Sequence, residues 1–306
     1  MKYLKLEIPI GVSIRQINRG YTQIPGYDYT SSIWNEEMIA VCLNHKWGFV
    51  EILDTLDTLD YREVIPCRFD EAGDFNEGLA SVKMNGKCGF IDRSGCEVIP
   101  CRYDRVSPFE EGLARVVANG KYGFIDRSGC EVIPCRYDRV WLFNVGLAYV
   151  VVDGKYGFID KTGREIIPCR YDEIVRWSDT FNVKLDEKWG CLDLDGRELV
   201  PCRYQSIGRF SEGLLVAELD GKLGYLDKDA REVLPFIYED GSSFSEGQAW
   251  VKLNDKWGTI DKSGREIIPF IYDDVRRIDS NGETLVELNG EWIYVDKNGR
   301  ESTSHN

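Results

Sequence analysis

The chain has 306 residues, with 52 Asp and Glu against 38 Lys and Arg, so its formal net charge at pH 7 is −14. Binding to nucleic acid or to an anionic membrane needs a basic face, and this charge balance argues against both. Hydrophobic residues make up 43% and charged residues 29% of the chain, which is typical of a packed core and not of disorder.

Residues 1–35 lack the regular pattern of the rest of the chain. Lys5, Glu7 and Pro9 interrupt the apolar run at the start, so we expect no signal peptide. No stretch approaches the ~18 apolar residues of a transmembrane helix. We therefore expect a cytoplasmic protein with free thiols, in which residues 1–35 form an ordered N-terminal cap.

From residue 36 to residue 300 the sequence repeats eight times with a period of about 34 residues. Seven copies are marked by prolines, namely Pro66, Pro100, Pro134, Pro168, Pro201, Pro235 and Pro269. An aromatic residue before Gly recurs in parallel at Trp47, Tyr122, Tyr156, Trp189 and Trp257, while Cys88 and Leu223 take its place in two copies. Trp292–Ile293 marks a degenerate eighth copy, and residues 301–306 form a tail predicted to fray.

Within one copy the apolar residues alternate, which indicates β-strands. Ala114–Ala118 predicts a strand with one buried and one exposed face. Asn119–Gly120 predicts a type I′ hairpin turn, because both positions accept a positive φ. The second strand, Lys121–Asp126, contains a Gly that suggests a closely packed neighbour. A third strand, Glu131–Ile133, is predicted to end at Pro134, and an irregular link leads to the next copy.

The first copy carries about seven extra residues, since Trp47 to Pro66 is 19 steps where Cys88 to Pro100 is 12. The extra segment, Leu53–Asp60, is itself a small tandem. We expect it to lengthen a turn.

The segment KWGTIDKSGREIIP at residues 256–269 resembles the bacterial WG-repeat (KWG-repeat) family. Because the pattern recurs in register, the resemblance covers roughly residues 36–300. It implies an all-β repeat protein that acts as a binding or interaction module, without a shared reaction and without catalytic residues to carry over. The family's Trp is replaced by Cys88, Tyr122, Tyr156 and Leu223, which suggests that the ring is there for packing.

Two architectures fit units of three short antiparallel strands. In an open solenoid or superhelix each unit buries its apolar face on the next one. In a closed, propeller-like ring the units would surround an axis, but propeller blades usually have four strands and about 40 residues. We therefore favour the open array.

An arginine recurs in five consecutive copies, at Arg68, Arg102, Arg136, Arg170 and Arg203. An aspartate follows two residues later at Asp70, Asp104, Asp138 and Asp172, on the same face of an extended segment. The row has two interpretations: a structural Arg/Asp ladder between repeats, which we favour, or a stripe that binds phosphate or carboxylate groups.

Two further rows invite a metal or redox interpretation that we reject. Phe236 and Phe270 occupy the position of Cys67, Cys101, Cys135, Cys169 and Cys202, so we expect these cysteines to act as small buried hydrophobes. The recurring aspartates Asp92, Asp126, Asp160, Asp193, Asp227, Asp261 and Asp296 lack the alternating oxygen ligands of a calcium loop, so an Asx-type turn is expected.

The function that these patterns favour is a non-enzymatic module, without metal or cofactor, that binds a protein or an anionic small molecule. Candidate ligand-binding residues are the five arginines together with Trp141, Trp177 and Trp250, because exposed aromatics are enriched at recognition sites. Neither His45 nor His305 has a plausible triad, so we expect no catalysis by histidine. The alternative is a glycan hydrolase that uses paired carboxylates.

Overall fold

The computed structural model of the chain describes residues 24, 26–31, 38–55, 58–278 and 283–302, and these residues form 31 β-strands in eight antiparallel sheets. Seven of these sheets have four strands and the last has three, and the strands of each sheet lie side by side in chain order. The predicted all-β array of antiparallel units is therefore confirmed.

The strands of the first four sheets are β1 Tyr29–Thr30, β2 Met38–Leu43, β3 Lys46–Thr55 and β4 Thr58–Phe69; β5 Glu71–Asn76, β6 Leu79–Met84, β7 Lys87–Ile91 and β8 Glu97–Tyr103; β9 Arg105–Val106, β10 Leu113–Ala118, β11 Lys121–Asp126 and β12 Glu131–Tyr137; and β13 Arg139–Val140, β14 Leu147–Val152, β15 Lys155–Asp160 and β16 Glu165–Tyr171.

The strands of the last four sheets are β17 Glu173–Arg176, β18 Thr180–Leu185, β19 Lys188–Asp193 and β20 Glu198–Tyr204; β21 Ser206–Ser211, β22 Leu214–Leu219, β23 Lys222–Leu226 and β24 Glu232–Tyr238; β25 Asp240–Gly241, β26 Gln248–Leu253, β27 Lys256–Asp261 and β28 Glu266–Tyr272; and β29 Asp274–Ile278, β30 Thr284–Leu288 and β31 Glu291–Val295.

The hairpin turn between the second and third strands follows the predicted chemistry in the second, third, fourth and sixth sheets, where Asn-Gly or Asp-Gly occupies it. In the third repeat Asn119 has φ 52° and Gly120 has φ 74°, the left-handed conformations that a type I′ turn requires. The other Asn-Gly and Asp-Gly turns of these sheets have a positive φ at Asn85, Asp153 and Asp220. In the first, fifth and seventh sheets two non-glycine residues take the same left-handed positions, beginning at Asn44, Asp186 and Asn254. The hairpin predicted from Asn-Gly and Asp-Gly is thus confirmed.

The last strand of the repeat runs past its proline, so the prediction that it ends there is wrong. Tyr122 pairs with Tyr137 whereas Phe124 pairs with Ile133, which leaves three residues of β12 bulging opposite Gly123. A β-carbon on Gly123 would overlap the carbonyl oxygen of Ile133. The closely packed neighbour predicted for this Gly is confirmed, and it is main chain.

The segment predicted as an irregular link supplies a fourth, edge strand. In the third repeat β9 pairs with β10, and Glu110 and Leu113 exchange two backbone hydrogen bonds of 2.9 and 3.1 Å. The residues between them, Glu111 and Gly112, have φ 50° and 81°, which makes a second tight turn. Sequence alone missed this turn because Glu rarely takes a left-handed conformation.

Both faces of a sheet are covered, so the predicted exposed face is wrong. On one face of β10, Ala114 is buried in a core that contains Phe90 of the preceding repeat. On the other face, Arg115 is half-buried and donates a 3.2 Å hydrogen bond to the carbonyl oxygen of Val140, in the following repeat. The following repeat shields positions that the alternation assigned to solvent.

An aromatic pair joins successive sheets at several junctions. One ring follows the strand glycine of a repeat, and the other comes from the edge-strand region of the next repeat. The pairs, with centroid distances of 4.8–4.9 Å, are Phe49–Phe75, Phe90–Phe109, Phe124–Phe143, Phe158–Phe181 and Tyr225–Phe244. Their tilted or edge-to-face geometry is the arrangement that aromatic rings prefer.

The extra residues of the first repeat lengthen two strands, and the expectation of a longer turn is wrong. β3 and β4 pair out to Thr55 and Thr58 as one long hairpin. The end of the predicted cap contributes β1, which pairs with β2. Residues 1–23, 25 and 32–35 of the cap and residues 303–306 of the tail lie outside the described residues.

The chain divides into two compact units, Met1–Asp153 with Ile159–Arg164, and Gly154–Phe158 with Glu165–Asn306. The boundary falls inside the fourth repeat. Whether the array is open, as favoured above, or closed into a ring stays a prediction.

Candidate functional site

The recurring aspartate shapes a turn in the second to eighth repeats. Oδ1 of Asp126 accepts hydrogen bonds from the amides of Ser128 (2.9 Å) and Cys130 (3.0 Å) and from the Ser128 hydroxyl (2.6 Å). These donors, the Ser128 hydroxyl first, hold the pKa of Asp126 below its usual value. The predicted Asx-type turn is confirmed. In the described part of the chain no three His, Cys, Asp or Glu side chains are grouped to hold a metal ion.

The same turn docks on the preceding repeat. Gly129, at φ 84°, lies over Ile99, whose Cγ1 is 3.2 Å from the place of a β-carbon. The Gly129 carbonyl accepts a 3.2 Å hydrogen bond from Arg102. In the same way, Arg68 donates a 2.9 Å bond to the carbonyl of Gly95. These arginines therefore connect neighbouring repeats.

The five row arginines share one surface geometry. Each side chain is exposed, with its guanidinium carbon 4.9–5.0 Å from the ring centroid of the next residue: Arg68 over Phe69, Arg102 over Tyr103, Arg136 over Tyr137, Arg170 over Tyr171 and Arg203 over Tyr204. Such stacking orients the guanidinium. That the row binds an anion stays a prediction.

The aspartates of the proposed Arg/Asp ladder pair with lysines, so the ladder is wrong. Asp138 forms an ion pair with Lys121, and its second oxygen accepts a 2.7 Å hydrogen bond from the amide of Asp153. The same Lys–Asp pairing recurs at Lys46–Asp70, Lys87–Asp104 and Lys155–Asp172. The reason is register: pairing of Tyr122 with Tyr137 places Lys121 beside Asp138.

The row cysteines are half-buried beside the strand glycines, where the strand bulges. Sγ of Cys101 lies 3.8 Å from the carbonyl oxygen of Val82, and burial raises the pKa of this thiol to about 11. In a later repeat the Phe236 ring occupies this space, with Cγ 2.8 Å from where a β-carbon on Gly224 would be. Because the same space accepts either a Cys or a Phe side chain, it fits the prediction that the row cysteines act as small hydrophobes. All ten cysteines are free thiols, as expected.

The edge-strand region of the fourth repeat carries an apolar surface. We call Trp141, Leu142 and Val145 the repeat-four patch; they are 45%, 43% and 82% exposed. The Trp141 ring packs against the Tyr149 ring, with centroids 5.0 Å apart. Val145 has φ 50°, a conformation that is unfavourable for a β-branched residue. Four other repeats have Glu at this position, namely Glu77, Glu111, Glu212 and Glu246.

The other two candidate tryptophans lie in different settings. Trp177 is 37% exposed, just after β17 of the fifth repeat. Trp250 is half-buried against Tyr272, with ring centroids 6.2 Å apart. Trp250 and Trp257 line a pocket of about 400 Å³ between the seventh and eighth repeats. The sequence did not predict this pocket, although Thr259, which contacts the lining residue Gln248, stands where most repeats have an aromatic residue.

No helix of membrane-spanning length and apolarity occurs in the part of the chain that the structure describes. Four-stranded sheets, recurring Asp turns and junctions between successive sheets define an all-β tandem-repeat protein. The family model described as "WG containing repeat" matches seven consecutive segments, residues 62–88, 89–122, 122–156, 156–189, 189–222, 224–257 and 257–292. Because these segments make up most of the chain, it belongs to the WG-repeat family, as its resemblance predicted.

Similarity to other proteins is otherwise low. No curated protein matches the chain. Among solved structures, a eukaryotic initiation factor aligns over 92% of this chain and 88% of its own, with 11% identity and a TM-score of 0.37. PorZ, a component of the type-IX secretion system of Porphyromonas gingivalis, aligns over 87% and 44%, with 9% identity and a TM-score of 0.28. Hsv2 of Kluyveromyces marxianus aligns over 64% and 72%, with 10% identity and a TM-score of 0.33.

Proposed function

We propose that this WG-repeat protein is a non-catalytic binding module that recognises a protein partner through the repeat-four patch. One observation carries the proposal: three large apolar side chains, from Trp141, Leu142 and Val145, are exposed within a stretch of five residues. Exposed apolar clusters with a Trp at their centre are typical of protein recognition sites.

The patch is specific to one repeat. The equivalent of Leu142 is Pro108 in the third repeat, Arg209 in the sixth and Ser243 in the seventh. The repeat fold therefore forms without an apolar residue at this position. Packing within the repeat does not account for an exposed Leu there, whereas contact with another molecule does.

Val145 supports the same interpretation through its backbone. At the equivalent position of the sixth repeat, Glu212 accepts a 3.1 Å hydrogen bond from the amide of Gly247 and pairs with Lys262 at 3.0 Å. Val145 cannot make such bonds and holds a left-handed conformation at a cost of ~1–2 kcal/mol. A residue that costs stability and points to solvent is accounted for by a role in binding.

The partner that fits is a protein segment with apolar side chains for the patch and basic residues around them. The partner segment needs apolar side chains because the side chains of the patch are themselves apolar. The basic rim follows from the net charge of −14, which attracts a basic partner and repels an acidic one. Association should accordingly slow as the salt concentration rises.

The test is site-specific photo-cross-linking in the cell that produces the protein. A benzophenone amino acid replaces Leu142 in one variant and Pro108, its equivalent in the third repeat, in the control. We expect one discrete protein adduct from position 142, with an apolar cross-linked peptide flanked by Lys or Arg. The adduct should disappear when Trp141→Ser and Val145→Asn are added. Equal adducts from both positions, or an adduct that survives these substitutions, would contradict the proposal.

The other candidate functions stay predictions. An anionic small ligand on the arginine row would have to compete with the turn carbonyls that Arg68 and Arg102 already bind. A glycan hydrolase needs a carboxylic acid that is protonated near neutral pH. The lowered pKa values of Asp126 and Asp261 keep these carboxylates ionised, which does not favour that alternative.

A further inference from the structure

The junction between the seventh and eighth repeats contains a pocket that the comparable junction before it fills. The pocket has a volume of about 400 Å³, and its walls come from the edge region and β26–β28 of the seventh repeat, from β29 and β30, and from the last Asp turn. This volume lies within the range of small-molecule binding sites. Its lining residues include Glu246, Gln248, Trp250, Trp257, Arg276 and Lys297.

Substitutions within the repeat pattern explain why space is left here. Between the sixth and seventh repeats, Tyr225 and Phe244 form an aromatic pair with centroids 4.9 Å apart. Tyr225 pairs with Leu234 across the sheet, and in the next repeat the residue with this register is Thr259, opposite Ile268. Thr259 takes the place of Tyr225 and Ile278 takes the place of Phe244, so the sequence provides neither ring of the aromatic pair at the last junction.

A further substitution makes the opened space polar. Leu214 is 8% exposed in the apolar core between the sixth and seventh repeats, and Gln248 is its equivalent one repeat later. The Thr259 hydroxyl lies 3.3 Å from Oε1 of Gln248 and accepts a 3.1 Å hydrogen bond from the amide of Ile268. These hydrogen bonds hold the two polar side chains in place, so the wall is ordered before any ligand arrives.

Two indoles give the pocket broad apolar walls. Trp250 replaces the smaller Val216 of the preceding repeat, and its ring is fixed by edge-to-face contact with Tyr272. Trp257 is the residue before the strand glycine and is half-buried. Fixed indole rings bind flat apolar ligands with little loss of conformational freedom.

The charged groups of the pocket leave one cation available. Asp296 uses Oδ1 to accept hydrogen bonds from the amides of Asn298 and Arg300, and Lys297 lies 4.0 Å from Glu246. Arg276 stacks over the Trp292 ring at 4.1 Å. Among the residues that the structure describes, no carboxylate lies within ion-pair distance of Arg276. Its oriented guanidinium is suited to bind a carboxylate.

We infer that this pocket binds a small aromatic carboxylate, with the ring of the ligand against Trp250 and Trp257 and its carboxylate on Arg276. The pocket combines flat apolar walls with one unpaired guanidinium, and such a ligand matches both. Gln248 and the edge-region serines of the seventh repeat supply further hydrogen bonds for ring substituents. The site shares no residue with the repeat-four patch and does not depend on a protein partner.

The test compares two matched probes, 2-naphthoate and its uncharged analogue 2-naphthamide, by isothermal titration calorimetry on the full chain. We expect 2-naphthoate to bind about tenfold or more tightly than 2-naphthamide, because only the acid forms a charge-assisted bond with Arg276. Arg276→Gln should remove this difference. The control is Arg209→Gln, an exposed arginine outside the pocket, which should leave both affinities unchanged.

A second variant tests the location independently of charge. Thr259→Tyr restores the ring found at Tyr225 and should abolish binding of both probes by filling the space. If Thr259→Tyr does not give folded protein by circular dichroism, Trp250→Leu serves instead. This variant should weaken the binding of both probes by about tenfold, because it removes part of the aromatic wall. Absence of 2-naphthoate binding, equal affinity for the two probes, or wild-type binding by Arg276→Gln would each overturn the inference.

Discussion

Replacing Val145 by Asn should stabilise the fold while it weakens partner binding. Val145 occupies the first of two left-handed positions in a tight turn, at φ 50°, and is 82% exposed. Asn adopts this backbone conformation far more readily than a β-branched residue and tolerates full exposure. The substitution therefore removes backbone strain and apolar surface at once.

The magnitude follows from the backbone alone, because an exposed side chain loses little packing. A left-handed conformation costs an ordinary L-residue ~1–2 kcal/mol, and Asn recovers most of this by local hydrogen bonding. We expect the free energy of unfolding to rise by about 1 kcal/mol. For a chain of this size that corresponds to an increase in melting temperature of about 2 °C.

The assay is urea unfolding monitored by tryptophan fluorescence, with Glu111→Val as the reverse variant. Glu111 has the same φ in the third repeat and pairs with Lys161, so Val should destabilise the fold there by about 1 kcal/mol or more. A Val145→Asn protein less stable than wild type would refute the strain argument, because it would mean that the exposed Val contributes to packing.

Three further predictions concern the repeat itself. Gly123→Ala should lower the free energy of unfolding by more than ~3 kcal/mol, because the new β-carbon overlaps the Ile133 carbonyl. In Gly120→Ala the new β-carbon meets no other atom, so only the positive φ should destabilise the fold, by ~1 kcal/mol. Thermal unfolding of the two variants separates steric overlap from backbone conformation. The pKa of Asp126 is lowered on folding, so its contribution to stability is present above the unfolded pKa of about 4 and is lost as pH falls through the folded pKa. Asp126→Asn keeps the acceptor oxygen without the titrating group, so its urea midpoint should fall less between pH 5 and pH 3 than that of wild type. Burial raises the thiol pKa of Cys191 to about 11, so an alkylating reagent at pH 8 should modify the exposed Cys96 and Cys130 well before Cys191. Mass spectrometry of partly labelled protein would show a different order if Cys191 were accessible.

Much of the fold could be predicted because its signals are local. Asn119–Gly120 specifies a hairpin by backbone conformation, and Asp126 specifies its turn by hydrogen bonds to amides within four residues. Each signal recurs at a regular interval, so several weak signals support one another. The family resemblance rests on the same recurring residues.

The strand bulge could not be predicted, and errors followed from it. The alternation rule placed Arg136 and Asp138 on one face and so suggested an Arg/Asp ladder between neighbouring repeats. The bulge opposite Gly123 breaks that alternation, and Tyr137 pairs with Tyr122, which brings Lys121 to Asp138. Register between strands depends on contacts that a single strand sequence does not contain.

The candidate sites lay in departures from the repeat, which a search for recurring residues overlooks. The arginine row drew attention because it recurs, yet Arg68 and Arg102 bind neighbouring turns. Gln248 lines the pocket and Thr259 contacts Gln248, and both differ from their counterparts Leu214 and Tyr225 in the preceding repeat. Their effect becomes visible only when the register aligns each junction with the one before it.

The central claim is that these departures serve binding and are not needed for folding. The measurement that tests it most directly is the urea midpoint of a variant that carries Leu142→Ser, Val145→Asn, Gln248→Leu and Thr259→Tyr together. The account predicts a midpoint above that of wild type, because strain is relieved and the pocket is filled. A midpoint clearly below that of wild type would contradict the account, since it would show that the irregular residues hold the repeats together.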